Sequence, residues 1–237
     1  MYGVRPAFGP QSGGVLYTGP MAQRRHHYEK AFEDFLRSRR IPYVAVDEAR
    51  KALLPDSAHL ATIERDAAGN EQSQALKSFD FVLYGSGINL LAEVKGRRLP
   101  PPRRVSNEEP GLLPSPPRSA RVPRLENWVT ADDVESLSRW ERLFGPTFEA
   151  AFVFIYWCEA QPRDALFEEI FEHRAHWYAI RTVTLSDYRA SMKVRSPRWR
   201  TVHLPQSVFD RVSKPLVGGF RWANREQDPE SILEPLG

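Results

Sequence analysis

Apolar positions along the chain alternate between stretches of helical period and stretches of strand period, separated by proline-rich segments that show neither. From His26 onward, Tyr28, Ala31, Phe32, Phe35 and Leu36 recur at helical spacing, while Glu29, Lys30, Glu33, Asp34 and Arg37 fall on other faces. The spacing predicts a helix that stops at Arg40, because Pro42 disfavours helical geometry at Ile41. Residues 43–46 read as a short buried strand and 47–54 as a brief helix capped by Asp47. The polar stretch that follows, up to about Ala75, reads as a loop with some local structure.

Two strand patterns come next. Residues 78–84 alternate apolar and variable positions, turn at Gly85-Ser86-Gly87, and are answered by residues 89–95, the pattern of a hairpin with a glycine-containing loop. Residues 97–124 are dense in Pro and Arg. Repeated prolines remove backbone donors and favour extended chain, so this stretch reads as an insertion, either a basic nucleic-acid arm or a solvated loop.

Order resumes at Trp128-Val129-Thr130. A helix from Ala131 carries Val134, Leu137, Trp140, Leu143 and Phe144 on one face and ends at Gly145-Pro146. Residues 148–157 form a strongly apolar strand, and Phe167, Ile170 and Phe171 read as a short helix or loop. Beyond them, residues 176–183 predict a strand, 185–192 a short helix, 201–204 a short strand and 206–212 a last helical piece. The resulting organisation is a flexible leader (1–23), a core (24–160) that carries the insertion at 97–124, an α/β extension packed on it (161–217), and a loose tail (218–237).

Composition narrows the class. An apolar fraction of 41% with 11% aromatics is enough for a real core and argues against a wholly disordered chain. The net charge is only +3, but arginine dominates the positive side, and guanidinium groups grip phosphate oxygens through paired hydrogen bonds. A pI near 9.1 permits a nucleic-acid partner without requiring one. Cys158 is the single cysteine, so no internal disulfide forms, and its place in the apolar strand reads as a packed thiol rather than a nucleophile. No stretch approaches the roughly 20 apolar residues of a membrane span, and no signal peptide is evident, so a cytoplasmic protein without a membrane partner is expected. One cysteine and scattered histidines give no zinc-ligand spacing.

The chemistry-bearing pattern lies in the central hairpin. Asp80 stands between Phe79 and Phe81, and Glu93 and Lys95 flank Val94. A carboxylate among bulky apolar residues is costly to bury unless something compensates it. A divalent cation would do so, since hard cations prefer carboxylate and carbonyl oxygens. Period-2 alternation puts Glu93 and Lys95 on one face, and the hairpin can bring Asp80 to that face. Asp80 and Glu93, with the carbonyl of Val94, could then hold Mg²⁺ (or Mn²⁺) while Lys95 orients water or stabilises developing negative charge, an arrangement suited to phosphodiester hydrolysis.

Asp80, a short hairpin and Glu93-Val94-Lys95 resemble the D…ExK signature of the PD-(D/E)xK nuclease superfamily, with archaeal Holliday junction resolvases as the nearest flavour. The resemblance covers about residues 26–157 and implies a restriction-endonuclease-like α/β fold, an αβββαβ core with a central mixed sheet flanked by helices, followed here by a C-terminal extension. It also implies a DNA substrate, admits a homodimer, and assigns a first-helix glutamate to the metal site. Glu29 matches that position best by spacing, with Glu33 one turn later as the reserve. The signature proline is absent, Ser78-Phe79 standing before Asp80, and the insertion is longer than a minimal resolvase needs.

Three functions are therefore open: a metal-dependent nuclease, a catalytically inactive nucleic-acid-binding module of the same fold, and an interaction protein whose acidic residues form salt bridges only. His26 and His27 lie near the first-helix glutamate in sequence, either touching substrate or forming a surface pair. Trp199, inside the basic segment 195–200, reads as a base-stacking group or part of a packed loop.

Overall fold

The computed structural model of the protein describes residues 20–53, 61–65, 71–99, 124–162, 167 and 169–220. The first helix, α1 (Pro20–Ser38), begins before His26, so residues 20–23 are helical rather than leader, with Pro20 in the first turn, where its missing N–H is not needed. Residues 1–19 lie outside the described residues. α1 buries Ala31, Phe32, Phe35 and Leu36, the stripe its spacing predicts. It ends as Arg40 turns to φ 53° and Ile41 N–H donates back to the Leu36 carbonyl at 2.9 Å.

β1 (Tyr43–Ala45) and α2 (Val46–Leu53) follow in the expected places, but β1 is only half-buried, and α2 begins at Val46, so Asp47 lies in its first turn rather than capping it. The next stretch departs from the expected loop: β2 (Ala61–Arg65) and β3 (Glu71–Ala75) pair antiparallel as a separate two-stranded sheet. β4 (Phe81–Leu83) and β5 (Asn89–Leu99) form the central hairpin. β5 continues through Arg97, Arg98 and Leu99, which the sequence assigns to the insertion, because β7 (Phe148–Cys158) ladders it in parallel along its whole length. Residues 100–123 of that insertion lie outside the described residues.

β6 (Val129–Thr130) leads into α3 (Ala131–Phe144), the crossover that a parallel β5–β7 pair requires. Past β7, residues 170–173 are a strand, β8 (Ile170–His173), not the expected short helix or loop, and they add an edge to β9 (His176–Thr184). The chain closes with α4 (Leu185–Ser191), β10 (Lys193–Ser196), β11 (Thr201–His203), α5 (Gln206–Val212) and α6 (Leu216–Gly219). α6 reaches into the segment read as a loose tail, and residues 221–237 lie outside the described residues.

The result is a mixed α/β architecture. A six-stranded mixed sheet runs in the order β1-β4-β5-β7-β9-β8, so residues beyond 160 continue the same sheet. β10, β11 and β6 make a small second sheet at the entrance to α3. Both faces of the central strands are covered, which is why β7 reads as an unbroken apolar run. Phe152, Phe154 and Tyr156 face one core with Val134 and Leu137 of α3, Tyr188 of α4 and Phe209 of α5. Ala151, Val153 and Ile155 face the other, with Phe32, Phe35 and Leu36 of α1. Cys158 is buried and burial pushes its thiol up to about 11, a core thiol rather than a nucleophile. No described helix is long and apolar enough to cross a membrane.

Candidate active site

The site forms where the short strand β4 meets the long strand β5. Phe81 pairs with Ala92, and one step before β4 begins, the backbone N–H of Asp80 donates to the Ala92 carbonyl at 3.1 Å. Past that point β4 no longer supplies partners for β5. The Asp80 carboxylate takes over: its Oδ2 accepts from the Val94 N–H at 2.6 Å, so a side chain finishes what the ladder leaves undone. The segment before Asp80 is held from α3, where the Ser136 hydroxyl and the Trp140 indole N–H both donate to the Lys77 carbonyl, at 2.7 and 2.8 Å.

Glu93 and Lys95 share the α3 side of β5, as alternation requires, and Lys95 Nζ donates to Glu93 Oε1 at 2.6 Å. A partner the sequence did not nominate completes the group. Asp133, in the first turn of α3, accepts from Lys95 Nζ at 2.9 Å and from Lys77 Nζ, and Lys77 Nζ also lies 3.8 Å from Glu93. Asp133 is the third residue of α3 and closes a capping box: its N–H donates to the Thr130 hydroxyl at 3.1 Å and its carboxylate accepts from the Thr130 N–H at 3.0 Å. Thr130-x-x-Asp133 is a legible helix-start signal, but nothing in it announces the lysines.

The two acids carry opposite electrostatic signatures. Burial lifts the Asp80 carboxyl well above the ordinary carboxylate range, and the charges of Glu93 and Glu29 lift it further; the Val94 N–H and Lys95 oppose them without prevailing. Burial would raise Asp133 as well, but Lys95 and Lys77 outweigh it and hold that carboxyl far below the usual range. Burial would lower Lys95, yet Glu93 and Asp133 raise it, so at neutral pH it is an ammonium and not a base.

The structure thus brings Asp80, Glu93 and Lys95 together and puts Glu29 within electrostatic reach of Asp80. Glu33 is engaged elsewhere, pairing with Arg37 and accepting from the Tyr43 hydroxyl at 2.8 Å. His27 turns away into an aromatic group, its Nδ1 3.2 Å from the Tyr178 hydroxyl and its ring edge-on to Trp157; the His26 side chain lies outside the described residues.

Asp80 and Glu93 offer the hard oxygen donors that Mg²⁺ prefers, and their mutual repulsion is what a cation between them would relieve. Among the described residues, no group of three or more His, Cys, Asp and Glu is gathered closely enough to hold a metal ion. Comparison with protein-family models, curated proteins and solved structures gives no match. The functional reading therefore rests on the site's own geometry.

Proposed function

We propose that this chain is a metal-dependent nuclease of the PD-(D/E)xK superfamily that hydrolyses phosphodiester bonds in DNA, of the resolvase-like flavour. The observation that carries the reading is the convergence of Asp80, Glu93 and Lys95 at the β4–β5 junction, with Glu29 close enough to act on Asp80. The element order supports it: leaving aside α2 and the β2–β3 hairpin, the chain runs α1, β1, β4, β5, α3, β7, an αβββαβ sequence with Asp80 immediately before β4 and Glu93 on β5.

In this reading Asp80 and Glu93, with the Val94 carbonyl and Glu29, would hold Mg²⁺ or Mn²⁺. A bound cation supplies a Lewis acid for the phosphate and a bound water that ionises near neutral pH. The protein's own contribution is charge and position. Lys95, kept protonated by Glu93 and Asp133, presents a fixed positive group where the scissile phosphate gains negative charge. Asp133 acts through Lys95 as a positioning residue, itself fixed by the helix cap.

One observation favours the inactive nucleic-acid-binding module as a second reading: Glu93 already lies against Lys95 and near Lys77, so its charge is offset without a metal. Cleavage decides between them. Supercoiled plasmid, linear duplex, single-stranded and four-way-junction DNA are incubated with Mg²⁺ or Mn²⁺, using wild type, Asp80→Ala and Lys95→Ala, with EDTA as the blank. The nuclease reading expects metal-dependent cutting that both substitutions abolish. DNA binding without cutting by wild type transfers the case to the module.

A further inference from the structure

The hairpin of β10 and β11 stands out on the surface beside this site. Its turn is built rather than loose: the Arg200 N–H donates to the Pro197 carbonyl at 3.2 Å, the Trp199 N–H donates to the Ser196 hydroxyl at 3.4 Å, and Arg200 takes φ 46° just before β11 begins. Yet this turn holds a large apolar ring out in solvent. Trp199 is 69% exposed and Val194 67% exposed, the two highest values among the exposed large hydrophobic residues of the described chain. Residues 193–200 contain Lys193, Arg195, Arg198 and Arg200 and no acid.

The hairpin is mounted on the candidate site at three points. β11 pairs with β6, the two residues that lead into α3 and supply its Thr130 cap. Arg200 pairs with Asp132 at 2.9 Å and with Glu135 at 3.4 Å, both in the first turns of α3. Arg195 lies over the Trp128 ring at 4.9 Å, and the same ring is covered at 4.2 Å by Arg97, two residues beyond Lys95 on the same face of β5. Arg198 lies 5.2 Å from the exposed Trp199 ring.

We infer that this hairpin is the platform on which an unpaired stretch of DNA is held next to the Asp80–Glu93–Lys95 site, a base stacking on Trp199 and phosphates meeting Lys193, Arg195 and Arg198. Every base has a face that an aromatic ring can take, so stacking suits single strands of any sequence, and a duplex hides those faces. Segment 193–200 carries four cations and no acid of its own, and although Arg200 pairs with carboxylates of α3, the remaining excess matches a phosphate backbone and repels cationic partners. The inference rests on the nuclease reading for what happens to the strand, but not for whether the hairpin binds it.

The test measures binding apart from cutting. Fluorescence anisotropy of a labelled single-stranded oligonucleotide, and of a duplex of the same length, is followed in EDTA with the full chain, for wild type, Trp199→Ala, Trp199→Phe and the triple variant Lys193→Ala/Arg195→Ala/Arg198→Ala. Trp199→Ala is expected to weaken single-strand binding by about 5-fold or more, Trp199→Phe to retain most of it, and duplex binding to change by less than about 2-fold. The triple variant is expected to flatten the single-strand salt dependence by about 2 in log–log slope, the equivalent of three phosphates. Single-strand binding that is unchanged in Trp199→Ala, or weakened no more than duplex binding, overturns the inference. Plasmid cleavage with Mg²⁺, run in parallel, separates the two readings. Cutting with no effect of Trp199 on single-strand binding sinks the platform alone, whereas a Trp199 effect without cutting keeps the platform and sinks the nuclease.

Discussion

The ring of Tyr28 lies directly against Gly96: a Cβ built at Gly96 would sit 2.1 Å from Tyr28 Cδ2 and 2.4 Å from Cγ. Tyr28 belongs to α1 and immediately precedes Glu29, while Gly96 immediately follows Lys95 on β5. The contact therefore sets how closely the helix carrying Glu29 approaches the strand carrying Glu93 and Lys95. Gly96→Ala is expected to destabilise the protein by about 1–3 kcal/mol, the usual range for overfilling a packed position. The clash is with one ring, so Tyr28→Ala should make room. Urea unfolding of both single variants and the double is expected to show the double at least about 1 kcal/mol more stable than the sum of the singles predicts. Additive losses would mean that the helix, not the ring, obstructs the site.

Asp80 should be a residue that the fold would do better without. Its raised pKa means that the folded state prefers the protonated form, so its contribution is intact below the ordinary carboxylate value and is lost as pH rises through the folded value. Asp80→Asn retains an oxygen for the Val94 N–H and removes the charge facing Glu93 and Glu29. The variant is expected to melt higher than wild type at pH 7, by about 2–4 °C for each kcal/mol relieved, with the gain shrinking as pH falls toward 4. An Asp80→Asn variant less stable than wild type at pH 7 would contradict the repulsion assigned here.

Asp133 should behave in the opposite way. Its pKa is depressed, so the stability it contributes is present above the ordinary carboxylate value of 3.8 and is lost as pH falls below it. Lys95 and Asp133 are mostly buried, at 13% and 3% side-chain exposure, so removing the Asp133 charge leaves Lys95 away from water with Glu93 as its remaining carboxylate. Asp133→Asn is expected to cost about 1–3 kcal/mol at pH 7, the range for losing hydrogen bonds to charged groups, and thermal melts should show the loss narrowing once pH drops below 3.8. Two acids one lysine apart would then give pH profiles of opposite slope.

Metal binding gives a third readout that does not depend on finding the substrate. A ligand that binds only the folded chain stabilises it by about 2.7 kcal/mol when present at 100 times its Kd. Mg²⁺ or Mn²⁺ is expected to raise the melting temperature of wild type and to leave Asp80→Ala unmoved, because that variant lacks one of the two proposed donors. Equal shifts in both proteins would place the metal elsewhere.

Patterns that depend on neighbouring residues were legible in the sequence, and patterns that depend on distant ones were not. α3 and β7 follow from the spacing of Val134, Leu137 and Trp140 and from the unbroken apolar run, because each is set by the face it must bury. The shared face of Glu93 and Lys95 follows from alternation alone. Asp133, by contrast, reads as an ordinary helix-start acid, and only the crossover through α3 brings it to Lys95 and Lys77. β2 and β3 escaped because residues 71–74 contain no apolar residue and the apolar Ala61 and Ile63 of β2 are too few to show a period. β8 was too short to show a period, and it exists because β9 offers it an edge. Arg97 and Arg98 looked like insertion until β7 supplied the partner that keeps them in the strand.

Arg97 shows what that extra length of β5 accomplishes. Its guanidinium is buried and lies 4.2 Å from the centre of the Trp128 ring, with Nη1 donating to the Gly96 carbonyl at 2.8 Å and Nη2 to the Trp128 carbonyl. Arg195 covers the same ring from β10, so one tryptophan links the strand of Glu93 and Lys95 to the exposed hairpin. Burial lowers the Arg97 pKa, but guanidinium stays charged in proteins. Arg97→Lys preserves the charge and loses both the planar fork and the stacking, so it should cost about 1–3 kcal/mol. The loss should also be local. Hydrogen exchange of amides in β10, β11 and β6 is expected to speed up in Arg97→Lys, while amides of β7, laddered on both sides, hold their wild-type rates. Uniform acceleration across both regions would mean that Arg97 supports the core as a whole, and unchanged rates in β10 and β11 would mean that Trp128 does not couple the hairpin to the site.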